Sequence, residues 1–137
     1  MKVIPIKAQA GITGFESPAA EYRELGLSLD QLLVQHPNAT FIGLASGDSM
    51  QGVGIFDGDL LVVDRAVSPQ QNDVIVANYN NEFVCKLLDI EHRILRSASP
   101  MYTSVRISDC DQFQLEGVVI GSVRMHRNNV ELFKCMR

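Results

Sequence analysis

From Thr40 onward, short apolar runs alternate with turn-forming residues, which is the pattern of an all-β domain rather than of packed helices. The predicted strands run Thr40 to Ser46, Asp59 to Ala66, Asp73 to Tyr79, Glu82 to Ile90, Arg93 to Ala98, Val105 to Ile107, Phe113 to His126 and Val130 to Cys135. Asn80-Asn81 fits a two-residue hairpin turn, since asparagine tolerates the left-handed backbone such turns require, and Asn128-Asn129 offers another. Gly121, inside the long run that begins at Phe113, marks a bulge or bend.

Ahead of the strands the pattern changes twice. Ser28-Leu29-Asp30-Gln31 reads as a capping box followed by Leu32, Leu33 and Val34, so one short helix is expected, ending at Pro37. Residues 1 to about 27 hold few contiguous apolar positions and many small or turn-forming ones, among them Gly11, Gly14 and Ser17-Pro18. Such a segment packs poorly by itself and is read as an extended arm. The expected organisation is an arm over 1–27 and a mostly β, compact domain over 28–137 with a short helix in front.

Composition supports a single folded body. The chain has 137 residues, 46% of them apolar and 20% charged, enough for one core and too little for two ordinary domains. Its net charge of −4 lacks the electrostatic footprint of a free-standing DNA binder. The late basic residues Arg124, His126, Arg127, Lys134 and Arg137 are interrupted by Glu131 and read as a solvated edge. Cys85, Cys110 and Cys135 have no C-x-x-C spacing, and His36, His92 and His126 are scattered, so neither a disulfide framework nor a metal or other cofactor is expected. With no long apolar segment for a membrane span, a reducing cytoplasm fits best.

Two stretches carry candidate chemistry. Along Glu82 to Ile90, alternation puts Val84, Lys86 and Leu88 on one side and Phe83, Cys85 and Leu87 on the other, so Lys86 is the one cation in an otherwise apolar run. Lost hydration there would favour the neutral amine, a base; the plain alternative is a lysine that snorkels to solvent from a strand edge. Ser49 follows Gly47 in a turn after an apolar run, where a hydroxyl could project from a rigid base, although Gly-Asp-Ser is also ordinary turn chemistry. If the two met, they would form a Ser-Lys nucleophile and base. Competing arrangements are weaker: no local context builds a Ser-His-Asp triad, Asp57, Asp59 and Asp64 read as turn residues, and alternation directs Cys85 away from Lys86 into the core.

Gly47-Asp48-Ser49-Met50, then Asp57-Gly58-Asp59-Leu60-Leu61-Val62-Val63-Asp64, then Phe83-Val84-Cys85-Lys86-Leu87 resemble, in that order, the self-cleaving domain shared by LexA, phage lambda repressor and UmuD. The separation of 37 positions from Ser49 to Lys86 is similar too. Ser17 to Tyr22 and Leu32 to Thr40 are most similar to the UmuD branch, and the resemblance extends over nearly the whole chain from about Gly11.

The resemblance implies a LexA-like fold and an autocatalytic serine peptidase with Ser49 as nucleophile, Lys86 as general base and the main-chain amides of Asp48 and Ser49 as oxyanion hole. It implies one cut in the chain's own arm. The UmuD branch is cut directly before Gly-Phe-Pro-Ser-Pro, whereas here Gly14-Phe15-Glu16-Ser17-Pro18 follows Thr13, and an Ala10-Gly11 pair lies three residues upstream. Small Ala10 suits a narrow pocket better than β-branched Thr13, so Ala10-Gly11 is the expected bond and Thr13-Gly14 the alternative. Also implied are a role in SOS mutagenesis, stimulation by a RecA filament on single-stranded DNA, and a processed homodimer working with a UmuC-like translesion polymerase. An arm in place of a helix-turn-helix domain, together with the acidic charge, disfavours a sequence-specific repressor. The alternatives are a non-enzymatic dimeric interaction module of the same fold, the self-cleaving part of a repressor-like regulator, and a general peptidase resembling signal peptidase.

Overall fold

The computed structural model describes residues 28–127, and the chain divides into two units, Met1–Gln35 and His36–Arg137. In the first, Ser28 caps α1 (Leu29–Leu33): its hydroxyl accepts from the Gln31 amide while the Gln31 side chain accepts from the Ser28 amide, the reciprocal capping box. The helix stops at Leu33, before Pro37, which instead opens a single 3-10 turn, Pro37–Ala39, in the second unit.

The second unit contains one antiparallel sheet of β1 (Thr40–Leu44), β2 (Leu60–Asp64), β3 (Val74–Tyr79), β4 (Glu82–Asp89), β5 (Ile94–Arg96), β6 (Val105–Arg106) and β7 (Phe113–Val123), in the order β1-β2-β7-β3-β4-β5-β6. Each described run falls on a predicted strand, with ends trimmed by up to three residues. The last predicted strand and the Asn128-Asn129 turn lie outside the described residues, as does the arm.

Asn80 and Asn81 adopt φ of 50° and 68° and join Tyr79 to its partner Glu82, the tight primed turn expected of them. The bulge expected at Gly121 falls one residue earlier: Val62 pairs with Gly121 and Val63 with Val119, leaving Ile120 unopposed. A second bulge leaves Glu116 unopposed between Val76↔Gly117 and Ala77↔Leu115. Gly117 is the glycine this strand needs, because a Cβ there would stand 2.7 Å from Val63 Cγ1 and 3.0 Å from the Asp64 carbonyl oxygen.

Alternation distributes the sheet between two cores. Ile75, Ala77, Leu88, Leu95, Ile107 and Val118 form one, with Val84 packed against it. Ala45, Met50, Ile55, Leu61 and Val63 form the other, joined by Phe41, Val74, Val76, Cys85, Leu87 and Val119. This explains why β4 is apolar on both sides: its odd and even positions serve different cores. Each fully buried aliphatic side chain contributes about 1.5–3 kcal/mol relative to exposure. The second core has a further consequence. Three strands lie between β1 and β4 in the sheet, yet Phe41 and Cys85 share that core, so the sheet curls and carries the loop after β1 toward β4.

Candidate active site

The loop after β1 is shaped by glycines and carboxylates. Gly47 takes φ of 89°, a backbone only glycine adopts without strain, and its amide donates to Asp57 Oδ1 at 2.8 Å. The Ala45 amide donates to the Asp59 carbonyl and the Gly58 amide to the Ala45 carbonyl, both at 2.8 Å, so the turn at 57–59 braces the base of the loop. Asp59 is buried and forked by Arg124, whose Nε and Nη2 donate to its two oxygens at 2.8 Å each, while the Phe56 amide donates to Oδ2. The Arg124 hydrogen bond holds Asp59 below its ordinary pKa despite burial. Arg124 also donates to the Gly54 carbonyl and stacks 4.1 Å from the Phe56 ring, so it belongs to this brace and not to a merely solvated edge.

Asp57, Asp59 and Asp64 take separate structural duties, as turn residues would. Asp64 accepts from His36 Nδ1 at 2.6 Å and from the Ala66 amide. His92 contacts Asp89, which Gln71 and Arg96 also engage.

At the end of this loop, Ser49 meets Lys86. Lys86 Nζ lies 3.0 Å from Ser49 Oγ across a separation of 37 residues. Lys86 is partly buried, and desolvation pushes its pKa below the ordinary lysine value because the charged form loses hydration. Neighbouring Cys85 turns into the second core, and burial pushes its thiol up to about 11, which leaves it protonated and a poor nucleophile.

Two side chains here were not singled out from sequence. Ser97 Oγ lies 2.8 Å from Lys86 Nζ, a second hydroxyl on the same amine. Tyr102 donates its hydroxyl to Asp48 Oδ1, and its ring centroid lies 5.7 Å from Lys86 Nζ. Proximity of the Asp48 carboxylate raises the Tyr102 pKa. Ser97 had a usable signal. Antiparallel pairing of Asp89 with Ile94 and Leu87 with Arg96 brings Ser97 level with Lys86, so placing the turn at residues 90–93 would have found it. Tyr102 had none, because an irregular segment carries it.

A cleft of about 160 Å³ is lined by Ala45, Ser46, Gly47, Ser49, Met50 and Ile55 on one bank and by Phe83, Val84, Cys85 and Lys86 on the other. It adjoins a larger apolar hollow of about 280 Å³ that adds Phe41, Gly43, Leu44, Leu61 and Val76. Strand β5 pairs only with Leu87, Leu88 and Asp89, so among the described residues the β4 edge from Glu82 to Lys86 carries no strand on that side. Within the described residues no group of three or more His, Cys, Asp or Glu side chains could hold a metal ion, and no helix is long and apolar enough to cross a membrane. The cleavage-bond residues Ala10, Gly11, Thr13 and Gly14 lie outside the described residues.

The chain matches the Peptidase S24-like family over residues 2–120. Protein SamA of Salmonella typhimurium is 37% identical over 125 residues, covering 90% of this chain and 87% of SamA. Protein ImpA of Escherichia coli is 44% identical over 91 residues, 66% of this chain and 63% of ImpA, so that match spans less than two thirds of the relative. A LexA repressor, from Syntrophotalea carbinolica, is 38% identical over 90 residues, 64% of this chain and 45% of the repressor. The resemblance drawn from about Gly11 onward is thus matched over most of the chain, which belongs to the Peptidase S24-like family.

Proposed function

We propose that the chain is a self-cleaving serine peptidase in which Ser49 is the nucleophile, Lys86 the general base, and the Ala10-Gly11 bond of its own arm the substrate. The observation that carries this reading is the 3.0 Å approach of Lys86 Nζ to Ser49 Oγ, with desolvation favouring the neutral amine. Neutral Lys86 takes the Ser49 proton as Oγ attacks the Ala10 carbonyl. The amides of Asp48 and Ser49 stabilise the oxyanion. Collapse expels the Gly11 amine, which receives the proton from Lys86; the neutral Lys86 then deprotonates a water that attacks the Ala10 acyl carbon, and passes that proton to Ser49 Oγ as the ester bond breaks, giving residues 1–10 and 11–137.

The small cleft beside Ser49 favours a small residue at the cut, which supports Ala10-Gly11 over Thr13-Gly14. The β4 edge from Glu82 to Lys86, which carries no strand on the β5 side among the described residues, suits an extended peptide added as a strand. Because the substrate is tethered, its effective concentration depends on arm conformation, and a partner that seats the arm acts as trigger. By family resemblance, that partner is a RecA filament on single-stranded DNA. The processed homodimer serves a UmuC-like translesion polymerase in the cytoplasm during SOS mutagenesis.

Intact-mass measurement tests the reading. The full chain, incubated at alkaline pH or with the RecA filament, should lose an N-terminal decapeptide, and Ser49→Ala should remain whole. An unchanged mass under both conditions would sink the proposal.

A further inference from the structure

We propose that Ser97 is a positioning residue, which holds the Lys86 amine in the rotation from which its lone pair meets Ser49 Oγ. The inference rests on the peptidase reading above. A neutral amine has two N–H bonds and one lone pair. If the lone pair is to take the Ser49 proton, the N–H groups must point elsewhere, and a lysine stem with several rotatable bonds does not ensure that by itself. Ser97 Oγ, 2.8 Å from Nζ, is placed to accept one N–H, which frees the lone pair for Ser49 Oγ at 3.0 Å. The Tyr102 ring, with its centroid 5.7 Å from Nζ, borders the amine as well.

Backbone pairing sets where Ser97 stands. Arg96 is the last β5 residue in register, opposite Leu87, and the following residue comes level with Lys86. The next residue along grips the other half of the dyad: the Ala98 amide donates to the Ser49 carbonyl, and the Gly52 amide donates to the Ala98 carbonyl, both at 2.7 Å. Adjacent residues thus hold base and nucleophile, one by its side chain and one by its main chain. Their separation is set by the main chain of two adjacent residues just past β5, and no long side chain has to span it. Ser97 itself neither attacks nor carries the proton; it acts through Lys86.

The test is the self-cleavage rate of the full chain against pH, combined with NMR titration of the Lys86 amine, for the parent, Ser97→Ala and Ser97→Thr. Ser97→Ala should lower the alkaline plateau rate by about 10- to 100-fold, the scale of misplacing a reacting group. It should also move the Lys86 midpoint to lower pH, because losing an acceptor disfavours the ammonium form. General loosening of the site would do the reverse to the midpoint, by hydrating the amine. Ser97→Thr keeps the hydroxyl and should recover most of the rate. The positioning role is overturned if Ser97→Ala retains the parental plateau within about twofold, if its midpoint stays or rises, or if Ser97→Thr is as slow as Ser97→Ala. A parent chain that never cleaves would overturn the peptidase reading itself; a parent that cleaves no faster than Ser97→Ala overturns only the role of Ser97.

Discussion

Gly52 lies against the Ala98 carbonyl so closely that a Cβ at residue 52 would stand 2.4 Å from that oxygen. The contact accompanies the hydrogen bond from the Gly52 amide to the same carbonyl, and it is backbone on both sides, so neither partner can rotate away. Gly52→Ala should therefore push the Ser49 loop off the segment that follows β5. The expected cost is about 1–3 kcal/mol of stability, typical of overpacking, with a loss of self-cleavage larger than that stability change explains. Urea unfolding and the cleavage rate, measured together, check it; a fully active, equally stable variant would show that the loop is not braced there.

Burial works against the charged form of Lys86. Lys86→Met, with similar length and no charge to desolvate, should be at least as stable as the parent while lowering self-cleavage at least 100-fold. Thermal unfolding combined with intact mass reads both. A destabilised variant would mean that the amine contributes more through Ser49 and Ser97 than its desolvation removes.

The sign of the pH dependence follows from the base. Below the depressed Lys86 pKa only the neutral fraction reacts, so the rate should rise about tenfold per pH unit and then level off. A profile flat from neutral to alkaline pH contradicts Lys86 as base.

Acid stability should trace to buried aspartates. Asp89 is held at about 2, first by the Gln71 hydrogen bond, against an ordinary value of 3.8. A depressed carboxylate adds stability that is fully present above its unfolded pKa and is lost as pH falls through the folded one. Asp89→Asn should therefore flatten part of the stability loss between about pH 4 and pH 2, measured by urea midpoints across that range. An unchanged acid limb would place the proton uptake on Asp59, Asp64 and Asp111, whose pKa values are lowered too.

Arg124, just past β7, is tied to the Ser49 loop through Asp59. Arg124→Met would leave a buried carboxylate without its fork and should lower the melting temperature by several degrees and slow cleavage. Asp57→Asn, at an exposed turn, should leave the melting temperature within a degree or two. Equal effects from the two substitutions would refute this division of labour.

Local rules made much of the molecule legible in sequence. The capping box at Ser28 to Gln31, the Asn80-Asn81 turn and the described strands follow from side chains acting on their own backbone or on a period of two. The same alternation separated Cys85 from Lys86 and marked Lys86 as the cation in an apolar strand. Spacing and motif order then paired it with Ser49.

Only the tertiary structure decided what depends on contacts between distant segments. The insertion of β7 between β2 and β3, the two bulges opposite Val62–Val63 and Val76–Ala77, and the curl that brings the β1 loop to β4 have no local signature, because strand order follows from which apolar faces bury each other best. For the same reason Arg124 looked like part of a basic edge until Asp59 was seen behind it. Sequence alone picked out the serine and the lysine as the pair with chemistry to offer. The second hydroxyl on Lys86, at Ser97, depended on a hairpin register, which is a property of two strands paired in space and of neither strand alone.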